Sequence, residues 1–142
     1  MAITRTQTQV GWDTGSTKTV TSPTEVTSNT ITLDDTTVAL SIQVSANNQN
    51  TAASGDTAVW RIQWSNGDVM ADSGDDFDTS EHAQFLGQLD TYSTNVPGEN
   101  PARMTINVTP VAKKFRLACN CASASATKIL VLSARIDEQR AA

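Results

Sequence analysis

Groups able to do chemistry are scarce in this chain. There is one histidine, His82, so His-Glu-x-x-His zinc signatures and Ser-His-Asp triads have almost no material to draw on. No Gly-x-Ser-x-Gly elbow occurs. A histidine at this position reads as an ordinary exposed side chain. Cysteine is limited to Cys119 and Cys121. On one extended strand they share a face but stand too far apart for an unstrained disulfide, and with His82 alone to help they make no zinc site. They read as buried free thiols packed as small hydrophobes. The longest apolar run is Ile129 to Leu132, far short of a membrane span. Basic excess is missing too. Ten Lys and Arg stand against fifteen Asp and Glu, and the densest basic cluster is Lys113, Lys114 and Arg116, so nucleic-acid binding is not expected. The first residues, Met1 to Thr6, lack the apolar core of a secretion signal, which leads to an expectation of synthesis and residence in a cytosol.

What the chain does have is strand-type alternation. Val38, Leu40, Ile42 and Val44 occupy every second position, as do Ala58, Trp60, Ile62 and Trp64, then Met104, Ile106 and Val108, then Phe115, Leu117, Cys119 and Cys121. Successive strand side chains point to opposite faces, so each set predicts the buried face of an antiparallel strand. Twenty-one threonines, crowded towards the N-terminal half, favour sheet over helix because β-branching stiffens χ1. With 142 residues the chain forms one domain. The expected fold is an all-β antiparallel sandwich or jelly roll of about eight strands with one short helix.

Two regions stand apart. Residues 1–30 hold only Ile3, Val10, Trp12, Val20 and Val26 for burial, too few for a core of their own. They read either as exposed edge strands or as an extended threonine-rich arm that orders on a partner, ahead of a β-sandwich domain at 31–142. In residues 71–101, Asp78 followed by Glu81 resembles a capping box, and Ala83, Phe85, Leu86 and Leu89 form a stripe that predicts the short helix. Asn66-Gly67 predicts a tight hairpin returning through Asp68 to Ala71. Strands are further expected over Arg103–Thr109, Lys114 to about Cys121, and Lys128–Ile136, the last lying centrally because Ile129 to Leu132 is apolar on both faces.

Weighed as sites, these features remain weak. Asp68, Asp72, Asp75, Asp76, Asp78 and Glu81 concentrate oxygen ligands, but counting from Asp76 puts Glu81 where an EF-hand needs glycine. A solvated loop is favoured, and a looser calcium site stays open. Paired carboxylates for glycoside hydrolysis would need a cleft, which sequence cannot show. Trp60 and Trp64 read as core, with Arg61 and Gln63 on the wet face. The threonines are too unevenly spaced for an ice-binding array. No cofactor-binding signature is present, and the chain is not expected to be an enzyme.

Together, Val38-Ala39-Leu40-Ser41-Ile42-Gln43-Val44 leading to Trp60-Arg61-Ile62-Gln63-Trp64, and the closing pair Phe115 to Cys119 and Lys128 to Leu132, resemble the jelly-roll cement or decoration proteins of tailed-bacteriophage capsids. The similarity covers about two-thirds of the chain as a pattern, without a diagnostic motif. It implies a virion protein made in the host bacterial cytoplasm. Such a protein sits outside the capsid as a homodimer or homotrimer and clamps neighbouring major capsid subunits, with no nucleic-acid or membrane partner. Ile3, Arg5, Val10 and Trp12 are then the expected partner contacts, and removing residues 1–20 is expected to leave a folded domain that no longer binds. The competing reading is a carbohydrate-binding β-sandwich of a phage tail or fibre.

Overall fold

The computed structural model describes residues 2–48, 57–65, 77–78, 83–90, 102–122 and 124–141. Among the described residues there are ten strands and no helix. They are β1 (Ile3–Gln9), β2 (Lys18–Val20), β3 (Glu25–Thr27), β4 (Ile31–Thr32), β5 (Thr37–Asn48), β6 (Thr57–Ser65), β7 (Gln84–Asp90), β8 (Ala102–Val108), β9 (Lys114–Asn120) and β10 (Leu130–Ala141). One sheet has the order β1-β10-β5-β8, with β2 also paired to β10. The other has the order β3-β9-β6-β7, with β4 also paired to β9. Every pairing is antiparallel, giving a two-sheet β-sandwich.

Alternation accounts for the core between the sheets. Leu40, Ile42, Val44 and Ala46 from β5 and Leu130, Leu132, Ala134 and Ile136 from β10 are buried on one side. Ala58, Trp60, Ile62 and Trp64 from β6 and Phe115, Leu117 and Cys119 from β9 are buried on the other. The Trp64 ring tilts against Phe115 at 5.1 Å, and its Nε1 donates to Gln84 Oε1 at 2.9 Å. β10 runs down the middle of its sheet, as the apolar stretch predicts, although the strand begins at Leu130 rather than Lys128.

Residues 1–30 contribute three edge strands, β1, β2 and β3, and, although too poor in apolar residues for a core of their own, they add Val10, Trp12 and Val20 to the common one. β1 pairs with Arg135–Ala141 and β2 with Leu130–Leu132 of the same strand. The eight residues between Gln9 and Lys18 therefore face only two on β10. This excess loops inward, closed by Trp12 N to Gly15 O at 2.7 Å and Gly15 N to Trp12 O at 3.1 Å. Gly15 has φ of 119°, a conformation that a side chain would oppose. The excursion buries Val10 and Trp12, each 2% exposed, and Trp12 packs edge-on against Trp60 at 6.2 Å. Across the sandwich, β3 and β4 flank β9 with a one-residue excess at 28–30. There the Ser28 hydroxyl accepts from Leu117 N at 2.9 Å, and Asn29 N donates to Gly11 O at 3.0 Å. One continuous N-terminal segment thus edges both sheets and ties them together.

The expected helix over Asp78 to Leu89 is replaced by strand β7 in its described part. Trp60 pairs with Gly87 and Arg61 with Phe85, which leaves Leu86 as an extra residue in a β-bulge. The bulge shifts the facing parity by one, so Leu86 and Leu89, three apart, both point inward while Phe85 is 59% exposed. A three-residue apolar spacing is thereby produced without a helix. A similar shift opposite Gln139 and Arg140 leaves Val38 unpaired and exposed, removing it from the expected inward set. Gly87 permits the other flank to close: a Cβ there would come within 2.6 Å of Met104 Sδ. The Asn66-Gly67 hairpin lies outside the described residues.

Gln63, expected on a wet face with Arg61, is buried, as is Ser65, while Arg61 is half-buried. Arg116 Nε donates to Gln63 Oε1 and the Arg116 guanidinium stacks 4.3 Å over the Phe77 ring, while Phe77 bridges to Ser65. At the far end of β10, the buried Glu138 carboxylate accepts from Asp34 N at 3.1 Å, Thr37 Oγ1 at 2.9 Å and Arg140 Nη2 at 2.9 Å, sealing the rim.

Because Trp12 is interior, Trp12→Ala is expected to lower unfolding stability by about 3–5 kcal/mol in denaturant titration. An unchanged midpoint would show that the excursion lies outside the cooperative core.

Candidate functional site

Of the four anticipated partner contacts, the structure separates two from two. Val10 and Trp12 are core residues of this chain, whereas Ile3 and Arg5 are exposed on β1, with Arg5 3.8 Å from Asp137. The even-numbered side chains of this segment lie on one face: Thr4 pairs with Arg140, Thr6 with Glu138 and Thr8 with Ile136, all inward positions of β10. Glu138 and Ile136 are roofed by the core, but Thr4 and Thr8 are exposed and Thr6 is half-buried. Here the first sheet projects past the second. β1 is bonded to β10 on one side, and its opposite edge has no strand against it among the described residues. Such an edge offers unpaired backbone N–H and C=O groups to another strand.

The outer face of the same sheet is a polar hollow. Strand register sets its side chains in rows. Gln9, Arg135, Gln43 and Thr105 form one row, Gln7, Asp137, Ser41 and Asn107 the next, and Ser133, Ser45 and Arg103 a third. Short hydroxyl residues in the middle of the sheet and long ones around them leave two adjoining clefts of about 400 and 300 Å³, sharing Gln43 and Arg135. Ser45 and Ser133 hydroxyls are 2.8 Å apart, and Gln9 Nε2 donates to Ala134 O at 2.9 Å, holding the carboxamide over the cleft. Period-two polar residues on β5 and β10 carried this signal in the sequence, but only register shows that they meet. It went unread for that reason.

Trp60 and Trp64 are core, as expected, and present no sugar platform. Asp78 is exposed and its N–H donates to Trp64 O at 2.9 Å; Asp68, Asp72, Asp75, Asp76, Glu81 and His82 lie outside the described residues. Among the described residues no group of three or more His, Cys, Asp or Glu is gathered to hold a metal, and no helix is long and apolar enough to cross a membrane. Exposed carboxylates have local partners. Asp13 is held below its ordinary value by a hydrogen bond from Lys18, and Asp34 by hydrogen bonds from Thr36.

Cys119 and Cys121 are fully buried and unbonded, with sulfurs 3.8 Å apart. Burial, together with the sulfur contact, pushes the Cys119 thiol up, and the contact with Cys119 lowers Cys121. Neither thiol should react with Ellman's reagent in the native protein, and both should react in guanidinium. Rapid native labelling would contradict their burial.

No family model matches this sequence, and no curated protein matches it. Among solved structures, the chain superposes on dimeric latent PorU from Porphyromonas gingivalis with a TM-score of 0.53 at 10% identity, over 99% of this chain and 13% of that one. It superposes on Eiger TNF from S. frugiperda with a TM-score of 0.45 at 14% identity, over 99% and 93% of the two chains. A cleaved adhesin domain of Lys-gingipain from Porphyromonas gingivalis gives a TM-score of 0.41 at 11% identity, over 93% and 72%. The chain spans only a small part of PorU, and that likeness is one of fold: a two-sheet β-sandwich.

Proposed function

We propose that this protein is a non-catalytic structural component of a tailed-phage particle, seated on the outside of the capsid and bridging neighbouring major capsid subunits. The observation that carries the reading is the overhanging β1 edge. Its seven residues are already held by β10, so a partner strand meets an ordered template and little conformational entropy is lost on docking. Main-chain hydrogen bonds along the open edge supply affinity, and the unroofed Thr4, Thr6 and Thr8 face supplies side-chain contact. Ile3, 56% exposed, is the apolar anchor nearest the end of the strand. Each contact is modest. Repetition around a symmetric shell, with the protein itself a dimer or trimer, multiplies them into shell stability.

Val10 and Trp12 serve this reading indirectly, by fixing the inner end of β1, so the contact set contracts to Ile3, Arg5 and the threonines. Deleting residues 1–20 would also remove Trp12 from the core, and therefore no longer separates binding from folding.

Point substitutions make the separation. Wild-type protein should co-sediment at saturating, symmetric stoichiometry with tailed-phage capsids stripped of their external proteins. The triple variant Thr4→Lys, Thr6→Lys, Thr8→Lys should keep its melting temperature yet lose co-sedimentation, because charges on an edge block strand addition. A folded variant that binds as well as wild type would overturn the role of β1, and wild-type protein that ignores the shell would overturn the capsid reading.

A further inference from the structure

We infer that the polar hollow on the outer face of the β1-β10-β5-β8 sheet is a binding site for an extended oligosaccharide carrying carboxylate groups. This rests on the carbohydrate-binding alternative rather than on shell attachment, and it uses a face of the sheet, whereas capsid docking uses its edge.

The chemistry of the rows selects the ligand. Gln7 and Gln43 each present a donor and an acceptor, Gln9 presents its carboxamide oxygen because Nε2 is committed to Ala134 O and Ser16 O, and Ser41, Thr105 and the bonded Ser45–Ser133 pair present hydroxyls. Sugar hydroxyls have the same dual character, so each can replace a water on this surface without leaving a polar group unpaired. An apolar peptide finds almost nothing here, since Val131 is the one large apolar side chain facing out of the hollow.

Charge narrows the class further. Arg103 and Arg135 both line the hollow, are exposed, and form no ion pair among the described residues. Against them stands Asp137, which already faces Arg5 at 3.8 Å. In an acidic protein, two uncommitted guanidiniums on one polar cleft favour a carboxylate, which their planar forks can hold bidentately. Arg135 sits at the junction of the two clefts with Gln43, so a ligand spanning both must pass it. The length of the hollow across four strands fits a chain of several sugars better than a single one.

The test is calorimetric titration of the intact protein at low salt with hexameric oligogalacturonate, and separately with maltohexaose as its uncharged counterpart. Oligogalacturonate should bind, and maltohexaose should bind roughly tenfold or more weakly. Arg135→Ala and Gln43→Ala should each weaken the acidic ligand, the arginine change by roughly tenfold or more, the scale of a lost charge-assisted hydrogen bond. Both positions lie on the outer face of the sheet, away from the core, so the variants should keep the wild-type near-ultraviolet dichroism and melting temperature. Absence of oligogalacturonate binding at millimolar ligand, equal binding of both oligosaccharides, or unaltered affinity in a folded Arg135→Ala variant would each overturn the inference. Capsid co-sedimentation reads a different surface, so its failure and this one are told apart.

Discussion

The edge-on contact between Trp12 and Trp60 joins parts of the chain that strand pairing alone leaves separate. Trp60 stands at the centre of the β6 sheet, fully buried, while Trp12 belongs to a loop thrown inward from the outermost strand of the other sheet. Aromatic pairs of this geometry add to the area they bury, and here the ring also works as a peg. Once it is seated, the backbone on either side has fixed ends: Gln9 leads back to β1, and Gly11 O receives Asn29 N from the second sheet. The open edge of β1 and the position of Gln7 and Gln9 above the polar hollow both depend on where that peg sits.

Two surfaces follow from one strand. β1 presents Arg5, Gln7 and Gln9 to the outer face and Thr4, Thr6 and Thr8 to the inner one, and it leaves its far edge open. Alternation of strand side chains makes this division automatic. A partner strand can therefore occupy the edge without covering the hollow, which allows attachment and ligand recognition to coexist in one small sandwich.

Much of the interior was legible in the residues, because Leu40, Ile42 and Val44, the β6 set and the β9 set keep strict parity over their whole length and every member is buried. Reading failed where parity is broken. Leu86 sits in a bulge, so Leu86 and Leu89 imitate helical spacing, and the register shift beside Gln139 turns Val38 outward. It failed again at Val10 and Trp12, since an excursion of eight residues opposite two has no periodic signature. The polar hollow is hidden for another reason: Gln43, Arg135 and Gln9 are distant in sequence and meet only through register.

Amide hydrogen exchange along Ile3–Gln9 tests the central claim most directly. An edge strand docked on one side sends alternate N–H groups to its neighbour and the rest to solvent. Protection should alternate through these seven residues in the isolated protein, with the N–H of Val10, bonded to Ala134 O at 2.9 Å, among the slow ones. Uniformly fast exchange from Ile3 to Trp12 would contradict the account, because it would make the segment a detached arm and remove the Trp12 peg on which both surfaces depend.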